Sequence, residues 1–185
     1  MPIRITTPAT VFPVTLSEAK EHLRVDGTAE DDYIAGLVAA ATAHVEVHCG
    51  RSYSAQGLTL YLHTFAPEIV LLRGPVSEVS SVQYLDEAGV LQTLSASVYD
   101  TDLFSDPATI TLAAGQSWPA VAQRRNAVQI EYTVGAGDAP EPVKMAIKLL
   151  VGQWFEMRSA VNDKIIYELP NGIAAVLANH RSYGF

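Results

Sequence analysis

The residues of this chain best equipped for chemistry cluster around position 45. His44 and His48 stand four apart with Cys49 beside the second, and on a helix that spacing puts both imidazoles on one side, where they could share a metal ion. Glu46 falls between them rather than directly after His44, so the His-Glu-x-x-His pattern of two ligands and a general base is absent. Helix-end histidines also answer the negative pole of the helix or a neighbouring group, and we favour that reading. Cys49 has no activating partner in view and reads as a small buried side chain. Glu30, Asp31 and Asp32 could hold magnesium, but acids at a helix start more simply complement the dipole. Arg124-Arg125 could meet phosphate or the acids of a neighbouring subunit, and a single dibasic pair on an acidic chain favours the neighbour. No nucleophile elbow, phosphate-binding glycine loop or dinucleotide fingerprint occurs.

The elements that must carry these residues follow from periodicity. Thr15 with Glu18 forms a capping box for a first helix, Leu16, Ala19 and Leu23 share its apolar face, Arg24 suits its last turn, and Asp26-Gly27 is expected to end it. Thr28 is expected to cap a second helix, apolar from Ile34 to Val47. Beyond Gly50-Arg51 the pattern alternates. Strands are predicted at 58–64, 68–72, 79–85, 90–94, 109–112 and 128–134, with Asp86-Glu87-Ala88-Gly89 as a hairpin turn and Trp118-Pro119 as a loop anchor. Helix resumes at Pro140-Glu141-Pro142. There Val143, Ala146, Ile147, Leu150, Val151, Trp154 and Phe155 make one stripe, with Lys144 and Lys148 opposite. The predicted class is α+β: a small helical bundle, an N-terminal helical hairpin plus C-terminal helices, with an inserted antiparallel β module. Its expected parts are 1–56, an N-terminal segment and hairpin; 57–137, the β module; 138–160, the closing helix; and 161–185, a tail with a short helix.

Composition bounds the function. The chain has 185 residues, of which 49% are hydrophobic and 17% charged, enough to bury a proper core. No apolar run approaches the roughly 18 residues of a membrane span, and the N-terminus lacks a signal-peptide pattern, so a soluble chain without an export signal is expected. One cysteine excludes an internal disulfide. The net charge of −8 lies mostly in the first three quarters, which disfavours sequence-reading or storage of nucleic acid. The tail carries Tyr167, Leu169, Ile173, Val176, Leu177, Arg181, Tyr183 and Phe185, more apolar and aromatic content than a solvated end needs, and reads either as a docking element or as a segment folded onto its own core.

The sequence resembles the head-tail connector (adaptor) proteins of tailed double-stranded DNA phages and gene transfer agents. The resemblance is carried by Pro13-Val14-Thr15-Leu16 with Glu18-Ala19-Lys20 and His22-Leu23-Arg24-Val25, by Asp31-Asp32 with Ile34, and by Gly50-Arg51. It continues in Pro75-Val76, Val79, Val82, Tyr84, Asp86 and Gly89. Pro142-Val143-Lys144, Ala146-Ile147, Leu149-Leu150-Val151, Trp154-Phe155 and Arg158 extend it, as do Pro170-Asn171-Gly172, Leu177 and Arg181.

The resemblance implies a structural, non-enzymatic protein of the particle neck, assembled in the bacterial cytoplasm, with no cofactor, no metal and no catalytic residues. Implied partners are the portal protein, neighbouring copies in a dodecameric ring, and the next connector or tail-completion (stopper) protein. Double-stranded DNA would pass without sequence-specific binding, and no membrane is involved. The tail residues named above would engage the portal, while Arg124, Arg125, Asp31 and Asp32 would lie between subunits. Two other classes stay open: a metal-dependent hydrolase using His44 and His48, and a ligand-binding β module.

Overall fold

The computed structural model describes residues 2–157 and 171–182. Helix α1 spans Leu16–Leu23 and opens as its sequence demands. Glu18 N donates to Thr15 Oγ1 at 3.2 Å and Thr15 N donates to Glu18 Oε2 at 2.7 Å, which satisfies two amides that the helix itself cannot pair. Its end differs from expectation. Arg24 itself adopts the left-handed conformation (φ 57°) and returns its N–H to Glu21 O, so the helix closes before Asp26-Gly27. Helix α2, Asp31–Cys49, also starts differently: Glu30 is the cap residue without a side-chain bond, and Thr28 contributes only its carbonyl, 3.3 Å from Asp31 N. Asp31 and Asp32 in the first turn supply the favourable charge instead. Gly50 (φ 65°) ends α2, a conformation that glycine adopts without a Cβ penalty.

Helix α3 is Glu141–Met157, and α4, Asn171–Leu177, runs into a single 3-10 turn, Ala178–His180. Ile34, Val38 and Val45 of α2 meet Val143, Ile147, Leu150 and Val151 of α3 in one core, joined by Ala19 of α1 and by Ile173 and Leu177 of α4. Trp154 and Phe155 pack against this core while half-buried, and Met145 and Leu149 on the opposite side of α3 face solvent.

Among the described residues there are eight strands: β1 Ile3–Thr7, β2 Gln56–Leu62, β3 Glu68–Leu71, β4 Val76–Leu85, β5 Leu91–Thr93, β6 Tyr99–Asp102, β7 Ala108–Leu112 and β8 Val128–Val134. They make a five-stranded sheet, β1-β2-β8-β4-β5, and a three-stranded sheet, β3-β7-β6, with every pair antiparallel. Leu60 lies opposite Ile130 and Leu58 opposite Tyr132, so the apolar positions of both central strands fall on one face. They form a second core with Val82 of the same sheet and with Ile69, Leu71 and Ile110 of the smaller one. The β4–β5 hairpin turns where Asp86 Oδ1 accepts the amides of Ala88 and Val90. The chain is therefore α+β, with antiparallel sheets. Among the described residues no helix is long and apolar enough to cross a membrane.

Candidate functional site

The helical and β halves are tied at the end of α2 by a carboxylate. Glu46 is only 4% exposed, and its Oε1 accepts Tyr53 N, Ser54 N and Ser54 Oγ, each at 2.7 Å. Oε2 accepts Gln56 Nε2 at 3.1 Å and lies 3.9 Å from an Arg73 guanidinium nitrogen. A buried carboxylate is tolerable only when its lone pairs are met, and here they are met by the segment entering β2 and by the turn between β3 and β4. Around this node Arg51 bridges to Arg73, its guanidinium pairs with Asp106, and Ser52 N donates to Gly74 O. Gly135 (φ 71°) completes it, because a Cβ there would sit 2.1 Å from Ser54 O. The sequence reading weighed Glu46 only as a missing general base. Its structural partners lie on other elements and have no local signature.

His44 and His48 sit half-buried on one side of α2. The His44 ring meets Trp154 edge-on at 6.0 Å between centroids, and burial, then the nearby charges of Arg181 and His44, hold His48 below the usual histidine pKa. Cys49 is buried and its thiol pKa is raised, chiefly by burial. Burial likewise pushes the adjacent Tyr53 hydroxyl upward. Among the described residues, no three His, Cys, Asp or Glu side chains converge as metal ligands.

The candidate tail residues divide. Ile173 and Leu177 are buried in the chain's own core, whereas Val176 and Arg181 are exposed, and Ser182 N donates to Cys49 O at 2.7 Å. Tyr167, Leu169, Tyr183 and Phe185 lie outside the described residues, as do Ile165, Ile166 and Asn162-Asp163.

Asp31 is engaged within the chain, 2.6 Å from Lys20 Nζ, while Asp32 is exposed on the first turn of α2. Arg124 and Arg125 are exposed in the loop before β8 and border a groove of about 750 Å³ with His63, Pro119 and Val121. Trp118 anchors that loop as expected, stacked on Phe65 at 4.6 Å with ring planes 3° apart, and Phe65 in turn meets Tyr84. These aromatics pack on one another. At the other end of the β half, the turn from β6 to β7 holds Phe104 wholly in solvent, which the sequence reading did not single out.

The family model described as head completion protein (HCP) matches residues 14–183. A chain of the solved structure "Neck of empty GTA particle computed with C6 symmetry" aligns with a TM-score of 0.79 at 23% identity, covering 100% of this chain and 97% of that one. The same scores and coverage hold for a chain of "Virion of native gene transfer agent (GTA) particle". A third, from "Neck of native GTA particle computed with C12 symmetry", gives 0.75 at 22% identity with equal coverage. At these identities the likeness is one of fold. No curated protein matches the sequence. With both cores, the helical ends and all of the described tail inside the matched span, this chain belongs to the head completion protein family.

Proposed function

We propose that the chain is a structural subunit of the neck of a tailed phage, prophage or gene transfer agent particle, acting as a connector between head and tail. The observation that carries this reading is the family match over residues 14–183, joined to a fold shared end to end with a chain of a gene transfer agent neck. In this reading copies form a ring beneath the portal, match its symmetry, extend the DNA channel and offer a lower face to the next connector or a stopper protein. A chain of net charge −8 suits a channel that lets DNA pass without holding it. The helices act as a rigid bundle, opened by the α1–α2 hairpin and closed by 138–160, into which 57–137 is inserted.

The segment 161–185 supplies the portal contact. Val176 and Arg181, exposed beside the buried Ile173 and Leu177, fit such a role, with Tyr167, Leu169, Tyr183 and Phe185 as further anchors. Asp32, Arg124 and Arg125 are exposed and available to neighbouring copies, and Asp31 would join them only by sharing its charge with Lys20. The role is mechanical rather than catalytic, played in the particle after assembly in the bacterial cytoplasm. Removing the gene from cells that make the particle is expected to leave DNA-filled heads unjoined to tails, countable by negative-stain microscopy and restored by complementation. Normal numbers of tailed particles without the gene would overturn the proposal.

A further inference from the structure

Phe104 is the most exposed large apolar side chain described, at 103% of its reference area. Its backbone is nonetheless fixed. The Asp102 carboxylate accepts Phe104 N at 2.9 Å, Ser105 N at 3.0 Å and Ser105 Oγ at 2.5 Å, and on the far side of the turn Asp106 pairs with Arg51. These bonds hold the Asp102 carboxyl below its usual pKa, so the turn keeps its shape and charge near neutrality. A ring presented on a preorganised turn loses little freedom when it docks, the property of an anchor residue. Asp100, exposed on the edge strand β6, has no ion pair among the described residues and makes the surroundings acidic. A complementary site therefore needs an apolar floor and a cationic rim.

The chain carries one. The groove of about 750 Å³ has Pro119, Ala120 and Val121 on its lining, Arg124 and Arg125 at its border, and Glu87 as its single acid. Neither arginine has an ion pair among the described residues. The two patches lie at opposite ends of the β half. Ala108, just after the Phe104 turn, pairs with Leu71 near the Arg51–Arg73 junction, whereas Val128, just after the arginines, pairs with Leu62 at the far end of β2. They cannot meet within one copy. Complementary patches at opposite ends make a head-to-tail contact, the kind that closes a ring when its rotation permits.

We infer that Phe104 of one copy inserts into this groove on the next copy, with Asp100 facing Arg124 and Arg125, so that the β halves follow one another around the ring. This rests on the ring reading above. The test uses the full chain assembled with its portal and carrying Phe104→Cys together with Ala120→Cys; native Cys49 is buried. Mild oxidation is expected to give a reducible ladder of multimers, while each single variant stops at dimers. Phe104→Ala, with unchanged monomer melting, is expected to raise the concentration needed for ring formation at least tenfold. Asp100→Arg is expected to weaken assembly, and adding Arg124→Glu and Arg125→Glu to restore it. Rings of normal size in which the double-cysteine chain gives no ladder, or in which Phe104→Ala assembles like the unaltered chain, would overturn this contact and leave the connector reading standing. No ring from the unaltered chain and portal would remove both.

Discussion

At the residue scale the decisive group is Glu46, which serves the fold rather than a reaction. Its bonds reach residues 7, 8 and 10 positions away, and its fourth neighbour, Arg73, lies on another turn. Periodicity reports which face of a helix is apolar, not that one acid on it will be met by a loop, so this node was not legible in the sequence. Glu46→Gln replaces an acceptor of several short bonds by a group that must also donate, and is expected to cost about 2–3 kcal/mol in urea unfolding. A loss below about 0.5 kcal/mol would contradict the node. Cys49 was legible as a small buried thiol. With its pKa raised by burial, native protein at pH 8 is expected to react with a thiol reagent far more slowly than urea-unfolded protein, and equal rates would contradict this. His48, held below its ordinary 6.5, resists protonation that the unfolded chain accepts. Stability from this group is therefore full above 6.5 and declines as pH falls through that value, and a titration followed by NMR is expected to place its midpoint below 6.5.

At the scale of elements, the sequence was informative wherever an apolar face repeats. The capping box, α3 and six of the strands appear near their expected positions because each carries a strong local pattern. β6 was missed because it is short, mostly exposed and polar, and is fixed by pairing with β7; β1 was missed although its alternating Ile3-Arg4-Ile5 and β-branched Thr6-Thr7 suit a strand, and it pairs with β2 as an exposed edge. The starts and stops of helices were also imperfectly read, since Arg24 takes a conformation usually left to glycine. Thr15→Ala is expected to lower stability by about 1 kcal/mol. Glu18 is held below its ordinary 4.5, first by the backbone bond from Thr15, so the cap's contribution is present above 4.5 and lost as pH falls through the lowered pKa. The difference between Thr15→Ala and the parent chain should therefore shrink in acid, and a constant difference from pH 7 to pH 3 would contradict the box. Gly135→Ala puts a Cβ on a left-handed residue 2.1 Å from Ser54 O, so the Ser54 backbone must move, and is expected to cost more than about 2 kcal/mol by thermal or urea unfolding.

At the scale of the whole molecule, two cores are joined by the polar node around Glu46. The family was legible before the structure because its motifs sit on caps, turns and core stripes spread along the chain. The partners proposed above rest on that resemblance alone, since a surface that waits for another subunit has no periodicity of its own. Phe104 illustrates this: a lone aromatic in a polar turn reads as ordinary until its exposure and its fixed backbone are known. The most direct measurement is cryo-electron microscopy of the purified chain mixed with its cognate portal, with and without residues 165–185, paired with light scattering. The account predicts a ring coaxial with the portal, of the portal's symmetry, that fails to form when the tail is removed. Failure of the intact chain to associate with the portal at any salt concentration would contradict it.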